Sequence, residues 1–414
     1  MLPLELAARY VISRKRPMFM SLLGIVFGIC FFVLTQAQTA GFEAFFIRTI
    51  LGTNGSLLIS DRLQNSGQLI ERLTANGSRE VVLNPEASIP YQDGIDQPEV
   101  VRAALCDFPA VTGISEVLKG HGVIKSIRNK SSVEIHGIRL KDHSQVSDLS
   151  KYTSIGATDL FGADPMGVLL GSRIFQQLGV KVGDRVSLNG QYESIQLRVS
   201  GVFETGVSEI DKNRIYLHLN TARRILGHRF GGSVFQLALQ RPDDAPEIAV
   251  QLQSVLGHRV VSWQEREKVW LDVFRALRFS SAITVSTILL LSGLGIFNVF
   301  AIMVIEKRRD IAILRSIGFS QSEVASVFLW QGVIILVIGI VLGSVLGFLA
   351  TYGVSILPLR IRGIFSSDTF MVNWDGSHYV WAALISSFFV ALATWVPARR
   401  ASKIEPAKII RETH

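Results

Sequence analysis

Eight histidines, two cysteines and 34 carboxylates are the side chains from which this 414-residue sequence could assemble a catalytic or metal centre. Their spacing assembles none. No His-x-x-x-His pair or other metal-ligand spacing occurs, so no metal site is expected. No Gly-x-x-x-x-Gly-Lys-Ser/Thr loop is present, nor a Gly-Lys dipeptide anywhere, so the chain has no cradle for nucleotide phosphates and is expected to bind no cofactor of its own. A Gly-x-Ser-x-Gly nucleophile elbow is also missing. Cys30 falls in an apolar run and Cys106 in a separate polar segment, which leaves no disulfide; Cys106 is expected to be a small buried hydrophobe. An enzyme is therefore not the expectation.

The chemistry-bearing residues concentrate in one stretch, residues 306–323. It opens with Glu306, Lys307, Arg308, Arg309 and Asp310, continues through Ile311, Leu314, Arg315 and Ile317, and ends at Gly318 and Phe319 before Ser320 and Glu323. Ile311, Leu314 and Ile317 recur at helical spacing with charges covering the rest, and Gly318 supplies a stop. Ser320 with Glu323 three residues on has the form of a capping box for the following helix. Two readings fit. One is a surface helix held by lipid headgroups; the other is a coupling helix seated in the groove of a separate ATPase, with Ile311 and Leu314 as anchors and the charges as rim.

What positions that segment follows from composition. The chain is 48% hydrophobic and only 18% charged, with a mean hydropathy of +0.35, whereas soluble domains carry about 25% charged residues. The deficit lies in four runs: Met18 to Gln38, Phe279 to Ile305, Val324 to Leu359, and Ser377 to Ala398, where only His378 can ionise. A helix rising about 1.5 Å per residue needs roughly 20 such residues to cross a bilayer. The expected fold is thus a membrane protein of four transmembrane α-helices, with a large mixed α/β domain inserted between helices 1 and 2. Its expected boundaries are an N-terminal segment at 1–17, helix 1 at 18–42, the exterior domain at 43–277 and helix 2 at 278–305. There follow the coupling helix at 306–323, helix 3 at 324–358, an exterior loop at 359–376, helix 4 at 377–398 and a tail at 399–414. Pro358 is expected to stop helix 3. The first run exceeds the ~7–15 residues of a signal-peptide core and its apolar pattern resumes at Phe42, Phe45, Phe46, Ile47 and Ile50, so it reads as a retained helix running on as a stalk.

Basic residues give the direction. Around the spans, Arg9, Arg14, Lys15 and Arg16, the Lys307 to Arg315 segment and the tail from Arg399 to Arg411 carry thirteen Lys and Arg against six carboxylates, nearly the whole net charge of +8. Both termini are therefore expected in the cytoplasm and the inserted domain outside, with anionic headgroups rather than nucleic acid as the basic partner. In the exterior segment, period-two alternation predicts strands at 195–203, 234–239 and 132–138, with helices at 98–105, 173–178, 221–226 and 246–256. Two subdomains are expected, with a turn-rich stretch at 65–96.

The segment from Glu306 to Glu323 resembles the cytoplasmic signature of MacB-type (type VII) ABC transporter permeases, and the chain looks most like the LolC/LolE permeases of the lipoprotein-releasing system. The likeness runs the full length: Gly41-Phe-Glu43 and Ile50-Leu-Gly52, then Val168-Leu-Leu-Gly171, Gln177 to Asp184, Val202-Phe203, Ile215-Tyr-Leu217 and Trp263, and finally Pro397-Ala-Arg-Arg-Ala401 with Glu405-Pro-Ala407. The resemblance implies an inner membrane of a Gram-negative-type bacterium and a periplasmic position for the inserted domain. Its implied partners are a cognate ABC ATPase dimer holding ATP and Mg, a second permease copy or paralogue, a lipoprotein or other amphiphile as cargo, and a periplasmic carrier or adaptor. Acyl chains would then sit among Phe42, Phe45, Phe46, Phe274, Leu277 and Phe279, for which plain helix packing is the competing reading. One departure stands out: LolC-type chains carry a longer proline-containing hairpin that recruits the carrier, whereas residues 186–195 are expected to turn tightly at Asn189-Gly190. A MacB- or DevC-like exporter permease and an FtsX-like signalling subunit are the alternatives.

Overall fold

In the computed structural model the described residues are 15–62, 98–154, 157–227, 234–357 and 369–403, together with Ala7 and Ile95. Along them run α1 (Lys15–Asn54), β1 (Leu57–Arg62), α2 (Pro98–Cys106), β2 (Val111–Lys125), β3 (Lys130–Ile138), α3 (Leu140–His143), α4 (Leu149–Tyr152), α5 (Ala157–Ala163), β4 (Gly167–Gly171), α6 (Ser172–Leu178), β5 (Arg185–Asn189) and β6 (Ser194–Phe203). There follow α7 (Ser208–Asn213), β7 (Arg214–His218), α8 (Leu219–Leu226), β8 (Val234–Leu239), α9 (Ala245–Leu256), β9 (His258–Ser262), α10 (Trp263–Arg266), α11 (Lys268–Glu306), α12 (Arg308–Ser316), α13 (Gln321–Ile356) and α14 (Ser377–Ser402). The chain divides into a helical unit (Met1–Ala44, Asp272–Leu359, Asp368–His414) and a sheet unit (Phe45–Leu271, Arg360–Ser367).

The sheet unit is built on nine strands in the order β3-β7-β4-β6-β5-β2-β8-β1-β9, and β2 pairs with β3 as well. That extra pairing closes β2, β3, β7, β4, β6 and β5 into a six-stranded ring. Strand β2 makes the closure possible by its length. Its first half, Val111 to Val117, pairs with β8, and its second half, Val117 to Lys125, pairs with β3. Alternation inside the ring matches the period-two pattern: Ile195, Leu197 and Val199 are buried while Ser194, Gln196 and Arg198 are exposed. Helix α8 lies against the ring because two glycines admit it. A Cβ on Gly137 would stand 2.3 Å from Cβ of Ala222, and one on Gly120 would stand 2.4 Å from Leu226 Cδ2. Among the described residues, one cluster of buried apolar side chains lies in and around the ring and another where β8, β1 and β9 meet α2 and α9.

The helical unit holds α1, α11, α13 and α14, each long and apolar enough to cross a membrane, with the short α12 between α11 and α13. Their shared core includes Ile25, Ile29 and Val33 of α1, Phe300 of α11, Ile335 of α13 and Val390 of α14. Between α1 and α13 the contact is made at glycines: Cβ atoms on Gly339, Gly343 and Gly347 would lie 2.7, 2.8 and 3.1 Å from Ile25, Ile29 and Val33. With apolar lipid tails as solvent, helices associate by close packing and interhelical hydrogen bonds, and small residues permit that approach. Ser292 Oγ donates to the Gly24 carbonyl at 2.9 Å and Gln36 Nε2 to Ser281 Oγ at 3.2 Å, adding two polar ties.

Helix α1 runs on to Asn54, as the apolar pattern from Phe42 to Ile50 indicates, and α11 starts at Lys268, ahead of its charge-free run. Within the stretch 306–323 the separate helix is Arg308–Ser316, ending before Gly318, and α13 begins at Gln321 after the Ser320 cap, as the sequence indicates. Other sequence expectations need correction. Residues 190–193 form a four-residue loop, closed by Gly190 N donating to the Glu193 carbonyl at 3.1 Å, so Asn189-Gly190 is not the centre of a two-residue turn. Cys106 is exposed rather than buried, because it ends α2 on the face away from Val101 and Leu105. The turn-rich stretch 65–96 lies outside the described residues apart from Ile95, and Pro358 and the loop after it to residue 368 do too.

Candidate functional site

The connector between α11 and α13 is fixed at both ends by local chemistry. At its start Lys307 Nζ donates to Asp310 Oδ2 at 2.6 Å, across one helical turn. At its end the capping box forms as the sequence indicates: Glu323 N donates to Ser320 Oγ at 3.2 Å and Ser320 N to Glu323 Oε2 at 2.8 Å. Between them α12 is tied to the end of α14 by Arg315 Nη1, which donates to the Ser402 carbonyl at 2.9 Å.

The apolar stripe chosen from the sequence is divided: Ile311 and Leu314 turn inward, and Ile317 does not. Ile311 is 3% exposed and packs in the core of the helical unit, and Leu314 is half-buried over a cavity of about 20 Å³ that it shares with Met303, Phe319, Val327 and Gln331. Ile311 holds α12 to its own chain, so its assignment as an anchor for a partner is corrected, whereas Leu314 is only half-buried. The apolar residues left outside are Ile313 at 47% and Ile317 at 73% exposure, aligned with exposed Arg309 at i, i+4 and i+8. Glu306, Arg308 and Arg309 are exposed beside them. The sequence stripe of Ile311, Leu314 and Ile317 merged two apolar faces that share one short helix and left out Ile313, and no signal within the helix separates them. Gln331, fully buried, has no partner for either amide atom among the described residues, and the adjoining cavity is large enough for one water.

Of the six residues proposed around an acyl chain, three are engaged in packing. Phe42 meets Phe370 edge-on at 5.6 Å, Phe46 is buried against Trp270 at 5.5 Å, and Phe274 is buried. Phe45 is half-buried, and Leu277 and Phe279 are exposed at 53% and 69%. The geometry therefore gives Phe42, Phe46 and Phe274 to packing and leaves Leu277 and Phe279 as an exposed apolar surface on α11, with Phe45 half-buried on α1.

A second charged cluster is buried in the sheet unit where α1 ends. Arg214 Nη1 donates to Asn54 Oδ1 at 2.8 Å and to the Tyr216 hydroxyl at 3.3 Å, and His136 and His143 lie against the Tyr216 ring at 5.7 Å each. Burial, with Arg214 adding its charge, pulls both histidines down to about 3, so the His136 contact with Glu134 at 2.9 Å is a hydrogen bond to a neutral ring near pH 7. Burial and the same arginine bring Lys119 down to about 8. Because the two histidines are neutral when folded and titrate near 6.5 when unfolded, their contribution is complete above about pH 6.5 and is lost as the pH falls toward 3. Each should add about 1.4 kcal/mol per pH unit to the loss. Urea unfolding of the chain between pH 7 and 4.5 is expected to show a slope of roughly two protons from this pair, and His143→Phe should remove about one; an unchanged slope in that variant would contradict the assignment.

Residues 18–255 match the profile of the MacB-like periplasmic core domain, and residues 282–406 match the FtsX-like permease C-terminal profile. The chain belongs to the MacB-like permease family. It is an ABC transporter permease of the LolC, LolE and MacB group. It is 26% identical to the lipoprotein-releasing system transmembrane protein LolC of Xylella fastidiosa, over 99% of this chain and 98% of that one. With LolE of Haemophilus influenzae the identity is 24%, over 83% and 90%. With the macrolide export ATP-binding/permease protein MacB of Bdellovibrio bacteriovorus it is 22%, over 95% of the permease but 59% of that longer protein. In the permease, both family matches meet within the pattern of one helix, a sheet unit and three further helices.

Proposed function

We propose that this permease couples a separate cytoplasmic ATPase to movement of its exterior domain and so extracts lipoproteins from the outer leaflet of the inner membrane. The observation that carries the coupling is α12: Ile311 fastens it to the helical core while Ile313 and Ile317 form an outward apolar stripe rimmed by Glu306, Arg308 and Arg309. Such a face fits a groove on a partner, with ATP and Mg held there and none on this chain. Both termini lie in the cytoplasm in this reading, on the argument of the basic flanks. The cargo assignment draws on the names of the LolC and LolE relatives that align along most of the chain. Extraction needs an energy source because each acyl CH₂ leaving the bilayer costs about 0.8 kcal/mol, on the order of tens of kcal/mol for a triacylated anchor. Leu277 and Phe279, exposed on α11, are the residues an acyl chain would meet.

Proteoliposomes containing the permease, its ATPase and a triacylated lipoprotein should release the lipoprotein to a soluble acceptor only when ATP is supplied. Hydrolysis without release would leave the permease assignment standing and remove the cargo. The short 190–193 loop favours a second reading, an exporter permease that meets an adaptor rather than a lipoprotein carrier. Binding of a periplasmic adaptor, in place of a carrier, would select it.

A further inference from the structure

The two chain segments that join the sheet unit to the long helices are fastened to one another. Helix α1 ends at Asn54, and only Gly55 and Ser56 separate it from β1; β9 ends at Ser262, and α10 passes directly to α11. Strands β1 and β9 are antiparallel neighbours, and their first rung pairs Leu57 with Ser262, the two residues nearest the helices. Beyond that rung the linkers themselves are cross-tied. Trp263 N donates to the Ser56 carbonyl at 3.0 Å, and Arg266 Nη2 donates to the Gly55 carbonyl at 3.3 Å while its Nε holds Glu267 Oε1 at 3.1 Å. A guanidinium on a carbonyl just past a helix C-terminus is favoured by the helix dipole as well as by the charge-assisted bond. Gly55 cannot be replaced there: its φ is 68°, and a Cβ would stand 2.7 Å from the Leu237 carbonyl oxygen.

Sliding at this junction is opposed by the sheet. A shift of β1 against β9 by one residue would turn Leu57, Ile59 and Val260, all buried, to the opposite face. We propose that α1 and α11 enter the sheet unit as one rigid fork, with Arg266 as a positioning residue that latches the two linkers, so that any ATP-driven displacement reaches the sheet as motion of the fork and not as slippage between its arms. This builds on the reading of the chain as a coupled permease.

The test is a cysteine pair at Leu58→Cys and Val261→Cys, half-buried register partners, in a full-length chain carrying Cys30→Ala and Cys106→Ser. Neighbouring antiparallel positions meet the Cα spacing a disulfide requires. The chain is reconstituted in nanodiscs with its ATPase, and disulfide formation is followed by peptide mass spectrometry without nucleotide and after vanadate trapping. A rigid fork gives rates equal within about twofold, and the cross-linked chain keeps its hydrolysis rate. A difference above fivefold, or hydrolysis lost on oxidation and restored by reductant, overturns the proposal. Arg266→Gln should slow cross-linking several-fold even without nucleotide, and Arg266→Lys should restore it; wild-type rates in the glutamine variant would remove Arg266 from the latch. Failure of the coupling reading shows separately, as absence of hydrolysis before oxidation, while the nucleotide-free rates still report on the fork.

Discussion

Replacing Ile317 by aspartate is expected to lower ATPase activity stimulated by the permease at least tenfold, with the chain still folded and inserted. Ile317 is 73% exposed one residue past the end of α12, so a carboxylate there stays hydrated in the free chain and costs little. The penalty arises only when a partner covers it, since desolvating an unpaired charge against an apolar groove costs several kcal/mol. Ile313→Asp should act in the same direction. Ile311→Asp should behave differently: that side chain is 3% exposed in the helical core, so its carboxylate would be buried in the chain itself and the loss would appear as poor expression and early melting. Measuring hydrolysis and melting in the same preparations separates the two faces. Full stimulation by an Ile317→Asp chain would mean that the outward stripe is not the contact.

Gly343→Leu is expected to disrupt the packing of α13 against α1. A Cβ at this position already lies 2.8 Å from Ile29 Cβ and 3.1 Å from the Val26 carbonyl oxygen, so the obstacle includes backbone of α1 and cannot be relieved by a rotamer change. Overpacking a close contact costs about 1–3 kcal/mol where neighbours can shift, and more where backbone must move. The seam with α1 is the site of all three clashes that substitutions at Gly339, Gly343 and Gly347 would create. Loss of the monodisperse peak in detergent, together with faster proteolysis between α1 and α13, is the expected readout; Gly353→Leu, where an added Cβ meets nothing within 4 Å, should leave both unchanged.

How far the sequence alone carried differs from element to element. The four long helices were legible because charge is excluded from hydrocarbon, and the Ser320–Glu323 box because capping is decided within one turn. Strands β6 and β8 were legible from alternation, but β2 was not: Gly113, Gly120 and Gly122 interrupt it, and those glycines are there to admit chain that arrives from elsewhere in the fold. Which apolar stripe of α12 faces inward is settled by contacts with α11 and α13 that lie outside the stripe itself. The same limit applies to the phenylalanines. Their type and spacing are equally consistent with a pocket and with packing, and only the partners Phe370 and Trp270 show which of them are already occupied.

The position of β1 in the sheet has a consequence for biosynthesis. It is the first strand of its unit to be made, yet both of its neighbours, β8 and β9, come from the end of that unit, so Leu57 waits for Ser262. Contacts this distant in sequence form slowly. The unit cannot zip up as it emerges; the unpaired strand must be kept from aggregation until the last segment before α11 has been made, and stalled or truncated chains would present an open edge to other chains and to proteases.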